Sequence, residues 1–181
     1  MANDSTAAGY LTPVSPAPPY GEDLERLISR WIRGLTALDT NMVYPRWTDP
    51  QATIPVNGTT WCAFGITSVV QDVHPAQVSV DDNIEARWQQ ESIDIIFCFY
   101  GPAGLSIATQ FRDGLYLPQN NNALNRVGMS FGEAGRLMAV PELINNQWVR
   151  RFDVTVTLRR KTTRNYNIKS FLSAPVQFFG D

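Results

Sequence analysis

The sequence predicts an α+β fold: a mainly antiparallel sheet packed by two helices and preceded by an extended N-terminal arm. Three observations carry this expectation. Residues 22–35 place Leu24, Leu27, Ile28, Trp31, Ile32 and Leu35 at i, i+3, i+4, i+7, i+8 and i+11, the single apolar stripe of an amphipathic helix. Residues 147–161, QWVRRFDVTVTLRRK, put Trp148, Phe152, Val154, Val156 and Leu158 on one parity and mostly polar side chains on the other, as in a strand with one buried face. Helical and strand patterns then follow one another as helix, strands, helix, strands, rather than in strict βα alternation.

Residues 1–19 are rich in Ala, Ser, Thr and Pro, with Pro13, Pro16, Pro18 and Pro19 close together. Such a composition forms no packed element alone and favours an extended arm. We therefore expect an arm over 1–19 and one domain over 20–181. In the first helix Glu22, Asp23 and Glu25 lead while Arg26, Arg30 and Arg33 follow, as the helix dipole prefers. Gly34 marks its end.

Pro45, Pro50, Pro55 and Asn57-Gly58 then break regular structure before a strand that starts near Thr59, with Cys62, Phe64 and Ile66 on one face and Trp61 and Ala63 on the other. Residues 71–83 read as an exposed loop or hairpin connection. From Ile84 to Tyr100 the pattern returns to strand, with Ile93, Ile95, Phe97 and Phe99 against Ile96, Cys98 and Tyr100, so both faces are covered. Gly101-Pro102 ends it, and Ala103–Tyr116 suits a helix with Ile107, Ala108, Phe111 and Leu115 inward. A helical turn near Leu124–Val127 precedes a strand over Gly128–Val140 that Gly132 and Gly135 break into a hairpin or bulge. PELINN at 141–146 leads into the basic strand, and Tyr166–Leu172 reads as a last short strand.

A chain of 181 residues with 44 % hydrophobic content can bury one good core. No run reaches the roughly 18 apolar residues of a membrane span, and the N-terminus has no basic segment followed by an apolar one, so a soluble, non-secreted protein is expected. Cys62 and Cys98 sit in apolar strand patterns, which favours buried thiols over a disulfide or a metal site. His74 is the only histidine and lacks ligand spacing to either cysteine.

There is no G-x-S-x-G, H-E-x-x-H or P-loop, and Glu91 and Asp94 lie three apart on a strand, on opposite faces. Asp81, Asp82 and Glu85 lack the spacing and glycine of a calcium loop. We expect no catalytic residue, metal or cofactor. What remains is charge. Residues 1–146 hold 8 basic and 15 acidic groups, a net −7, whereas residues 147–181 hold 7 basic and 2 acidic, a net +5. A split of this kind suits contact with another copy or an oppositely charged partner, or acidic elements folding back on the basic strand within one subunit. As a nucleic-acid surface the strand lacks interleaved aromatics on its polar parity, although phosphate contacts by 147–164 in a DNA-binding accessory protein stay open. The Tyr44-Pro45-Arg46-Trp47 block is an aromatic and cationic cluster of the kind found at binding hot spots or in a lid over the core.

Several stretches together resemble the neck or tail terminator proteins of tailed bacteriophages: VYPRW at 43–47, TTWCAFG at 59–65, IFCFYGP at 96–102, FRDGL at 111–115 with PQN at 118–120, and PELIN at 141–145 before QWVRRFDVTVTLRR at 147–160. The resemblance covers roughly residues 20–175 and consists of structural motifs, not active-site signatures. It implies a small α+β subunit of a homo-oligomeric ring, typically a hexamer, at the head-proximal end of the tail tube. Such a ring stops tail growth and joins the tube protein to the head connector or adaptor, with DNA passing through its lumen without sequence-specific binding. It would sit at the head–tail junction of the virion after assembly in the host cytoplasm. No catalytic residue carries over. The subunit-interface candidates are Tyr44, Arg46, Trp47, Trp61, Arg150, Arg151, Arg159, Arg160 and Lys161.

Overall fold

A computed structural model describes residues 8–169. The first helix, α1 (Gly21–Thr36), carries Glu22 and Asp23 in its first turn and buries Leu24, Ile28, Trp31, Ile32 and Leu35 of the stripe read from the sequence, with Leu27 partly buried beside them. It runs past Gly34 and stops at Ala37, whose left-handed backbone lets its N–H donate to the Arg33 carbonyl at 2.9 Å. Among the described residues nine strands follow or intervene: β1 (Val43–Pro45), β2 (Trp61–Gln71), β3 (Ala76–Asp81), β4 (Ile84–Tyr100), β5 (Met129–Ala134), β6 (Met138–Ala139), β7 (Glu142–Ile144), β8 (Gln147–Val149) and β9 (Arg151–Asn167). Between β4 and β5 lie α2 (Gly104–Leu115) and the single turn α3 (Asn122–Asn125). The fold is α+β with a mostly antiparallel sheet, as the sequence predicts.

The chain divides into two compact units. The larger, Pro19–Gln71 with Glu91–Lys161, contains the core. Its strand order is β1-β2-β4-β9-β5, with the β1–β2 pair parallel and the registered β2–β4 and β5–β9 pairs antiparallel. Cys62 opposes Phe99 and Phe64 opposes Phe97, so the aromatic parity of β4 faces one side together with Val154, Val156 and Leu158 of β9. That side receives α1 and α2. Trp31 meets Phe97 and Phe111 edge-on at 6.3 and 5.8 Å and donates its indole N–H to the Asn120 carbonyl, so its polar end is satisfied inside the core. Gly132 sits at a β5 bulge between Phe131 and Glu133, where a Cβ would meet the Thr157 carbonyl at 2.9 Å.

The smaller unit is a β structure formed by residues 8–18, 72–90 and 162–169 of the described chain. β3 folds antiparallel on the first half of β4 through a tight turn in which the Asn83 N–H donates to the Asp81 carboxylate at 2.7 Å. The stretch expected to be a loop or hairpin connection thus holds a strand of its own. Pro13 bridges Tyr166, the Val14 N–H donates to Asn165, and the Ser15 hydroxyl accepts from the Asn165 N–H, so residues 13–15 run antiparallel to the end of β9. β9 itself continues to Asn167, and the part of the expected last strand beyond residue 169, like arm residues 1–7, lies outside the described residues.

The strand expected over residues 147–161 differs from expectation in one respect. It breaks at Arg150, and its first three residues turn away as β8 to pair with β7, so Trp148 is 73 % exposed instead of inward. Asn145 and Asn146 cause this, because both adopt positive φ (48° and 61°) at a two-residue hairpin turn.

Candidate functional site

On the sheet face away from the helices, at the ends of β2 and β4, Trp61 stacks on Tyr100 with centroids 4.1 Å apart, and Tyr44 meets Trp61 edge-on at 5.9 Å. β1 places Tyr44 there by pairing with β2, which brings Pro45 opposite Phe64. The chain then turns at Trp47, whose φ is +60°, and its ring lies over Gly65, where a Cβ would come within 2.3 Å of ring carbon. Arg46 extends over the Trp47 ring and donates to the Cys98 sulfur at 3.1 Å.

Arg151 completes the cluster. Its Nε and Nη2 bind the two Asp153 oxygens at 2.8 Å each, Nη1 binds the Glu142 carboxylate at 2.9 Å, and Nη2 also reaches the Cys98 sulfur at 3.3 Å. The Tyr100 hydroxyl donates to the same Glu142 oxygen at 3.0 Å. Burial works to raise the Glu142 carboxyl, but the Arg151 and Tyr100 hydrogen bonds outweigh it and hold the group below the usual carboxylate value. Burial and the nearby Asp153 charge push the Cys98 thiol up to about 11, against the opposing pull of Arg151 and Arg46. Burial likewise raises the Tyr100 phenol and the Cys62 thiol. A protonated thiol is a poor nucleophile, so burial leaves Cys98 and Cys62 unactivated. A cavity of about 120 Å³ opens beside it, lined by Tyr44, Arg46, Trp61, Tyr100, Glu142 and the 51–54 segment among others.

A second cluster lies on the helix-side face. Arg160 and Glu91 form a fully buried ion pair, Nε to Oε2 at 2.7 Å. The Tyr20 hydroxyl and Gln71 amide each donate to the other Glu91 oxygen at 2.6 Å, Arg160 Nη1 donates to the Pro19 carbonyl at 2.6 Å, and the guanidinium lies 4.3 Å from the Tyr20 ring centroid. Burial works to raise the Glu91 carboxyl, yet the hydrogen bonds from Tyr20, Arg160 and Gln71 hold it below its ordinary value. Pro19, Gln71, Glu91 and Arg160 each lie within one residue of the four points where the chain enters or leaves the larger unit.

Of the nine interface candidates, the structure gathers Tyr44, Arg46, Trp47, Trp61 and Arg151 into the first cluster. Arg160 belongs to the second. Arg150 is exposed, with its carbonyl accepting from the Gly101 N–H at 3.1 Å, and Arg159 and Lys161 are exposed on β9. Acidic groups of the same chain thus meet the basic strand at Arg151 and Arg160, the fold-back alternative weighed from the sequence. Sequence reasoning missed Glu142 and Asp153 as partners of Arg151, Glu91 as the partner of Arg160, and the exposure of Trp148. Two consecutive asparagines between short apolar runs were the available signal for the last. Among the described residues, no group of three or more His, Cys, Asp or Glu could hold a metal ion, and no helix is long and apolar enough to cross a membrane.

No curated protein matches the chain. The family model described as "Phage neck terminator protein" matches residues 22–181, from the first turn of α1 to the last residue of the chain. With a match over nearly its whole length, the chain belongs to the phage neck terminator protein family.

Proposed function

We propose that this neck protein acts as one subunit of a homo-oligomeric ring, a hexamer, that caps the tail tube and joins it to the head connector. The family match over residues 22–181 carries the reading. The geometry supports it: strained, packed and ion-paired residues serve the scaffold, and the cysteines are buried and held protonated. The subunit therefore works by shape and contact without catalysis. Its partners are its own copies, the tail tube protein and the connector or adaptor, and its place is the head–tail junction, reached from the host cytoplasm during assembly. DNA passes through the ring with no base-specific contact.

Tyr44, Arg46 and Trp61 remain candidates for subunit contact through the rim of the cavity they line, and Trp47, Arg150, Arg159 and Lys161 through their exposed side chains. Arg151 and Arg160 enter such a contact only by holding their neighbours in place. We also propose that residues 1–19 act as an arm that orders further on assembly, ahead of a terminator-like domain from residue 20 onward.

Mass photometry of the purified protein, with class averages from negative stain, tests the ring. Six-fold particles are expected. A monomer at every concentration, with no density for the protein at the junction of intact particles, overturns the reading. The DNA-binding accessory alternative predicts salt-sensitive binding lost with Arg159→Gln, and absence of binding at low salt removes it.

A further inference from the structure

The described residues of the smaller unit form almost no core. Among its described apolar residues only Ala86 is buried, whereas Tyr10, Leu11, Val14, Val73, Val78 and Val80 are exposed. Val78 and Val80 lie on β3, half or more exposed, next to a turn that carries the exposed carboxylates of Asp81 and Asp82. Apolar groups left in water beside an acidic tip, with little core beneath them, are what a partner surface would cover.

The larger unit exposes a surface of matching character. The β7–β8 hairpin turns Glu142, Ile144 and Val149 inward, while the cross-strand pair Leu143 and Trp148 points out, 53 % and 73 % exposed. Asn57 donates to Gln147, which ties the exposed Val56 to the same hairpin. Arg150, exposed, follows directly. This is an apolar patch centred on tryptophan with a cation at its rim, the composition of an interface anchor.

We propose that the β3–β4 hairpin of one copy docks on the β7–β8 hairpin of the next, with Val78 and Val80 against Leu143 and Trp148, and Asp82 facing Arg150. Two different surfaces of the same chain meet, one acidic and one basic at the edge. Such a head-to-tail contact closes into a ring, where a self-complementary patch would stop at a dimer. The opposite charges select a second copy as the occupant, because each patch repels its own kind and attracts the other. The inference rests on the ring reading and names the contact that builds it.

The test uses the full chain. Val80→Cys combined with Leu143→Cys yields, under mild oxidation, a ladder of disulfide-linked multimers on a non-reducing gel, while each single variant yields none; Cys62 and Cys98 are buried and do not compete. Arg150→Glu weakens assembly in mass photometry by about tenfold or more, Asp82→Arg does the same, and the two together restore it. Trp148→Ser abolishes assembly with an unchanged urea midpoint, which separates lost contact from lost folding. If rings form normally in Trp148→Ser and Arg150→Glu and no ladder appears, the hairpin contact is wrong while the ring stands. If the wild-type chain never assembles, the ring reading itself falls and this contact with it.

Discussion

Removing one partner of the buried Arg160–Glu91 pair should unfold the protein far more readily than removing both. In Glu91→Leu, the Arg160 guanidinium keeps only the Pro19 carbonyl as a hydrogen-bond acceptor, and the Tyr20 hydroxyl and Gln71 amide lose the oxygen to which both donate at 2.6 Å. Breaking a buried pair from one side costs about 3–5 kcal/mol, because an uncompensated charge stays behind. Arg160→Met should cost a similar amount by stranding the carboxylate. The double variant removes both charges from a site that is 2 % and 0 % exposed, and hydrophobic replacement of a whole buried pair is often close to neutral, so it should lie within about 1–2 kcal/mol of the wild type. Urea unfolding followed by tryptophan fluorescence measures all three, and the double-mutant cycle gives the coupling directly. Strong non-additivity is expected. If the single losses simply add in the double variant, or if Glu91→Leu costs under about 1 kcal/mol, the pair does not hold β4 and β9 together. The same site sets an acid limit. Glu91 is held below its unfolded value, so its contribution is complete above the unfolded carboxylate pKa of about 4.3 and is lost as the pH falls through the folded value. Wild type should therefore destabilise on acidification below about pH 4 more steeply than the double variant does.

Other positions give sharper yes-or-no outcomes. Gly101→Ala should destabilise by several kcal/mol, since the residue sits at φ +91° and a Cβ would come 2.2 Å from the Thr59 carbonyl oxygen; a thermal melt unchanged from the wild type would contradict the geometry. Phe111→Ala should cost about 3–5 kcal/mol, because its ring packs against Trp31, Phe97 and Phe99 at 4.8–5.8 Å between centroids in the fully buried core; a loss under about 1 kcal/mol would mean the cavity collapses. Cys62 and Cys98 should resist a thiol reagent at pH 8 in the folded protein and react fully in urea, since burial keeps both protonated there; rapid labelling of the native state would show the cluster to be open.

The elements legible in the sequence were those whose local pattern and tertiary environment agree. The α1 stripe, the β4 aromatic alternation and the β9 valines each bury the residues their periodicity marks. Three features escaped for physical reasons. β1 is three residues long within a Pro-rich stretch, too short to show a period, and exists because its partner β2 accepts it in parallel. β8 shares the parity of β9, so the alternation marks the break only through Arg150, a cation on the apolar parity, while the turn chemistry of Asn145 and Asn146 sets the hairpin. The partners of the arginines come from residues far along the chain: Glu91 lies 69 positions before Arg160, and only the folded sheet brings them together.

The adjacent arginine pairs of the basic strand show how the pleat divides one charge cluster between two tasks. At 150–151 the chain leaves Arg150 at the surface and turns Arg151 into the Asp153, Glu142 and Cys98 cluster; at 159–160 it exposes Arg159 and buries Arg160 against Glu91. Alternation forces this at 159–160, because neighbouring side chains on a strand point to opposite faces. Total basic charge is thus a poor guide to role. Arg151→Gln removes a two-point contact to Asp153 and a hydrogen bond to Glu142 at a side chain only 13 % exposed, and should lower stability by about 2–4 kcal/mol. Arg159→Gln, on the exposed side, should stay within about 0.5 kcal/mol. Matched urea titrations of the two variants decide it: equal losses would mean that both arginines are structural, and equal neutrality would mean that the Asp153 and Glu142 contacts contribute nothing to holding β9.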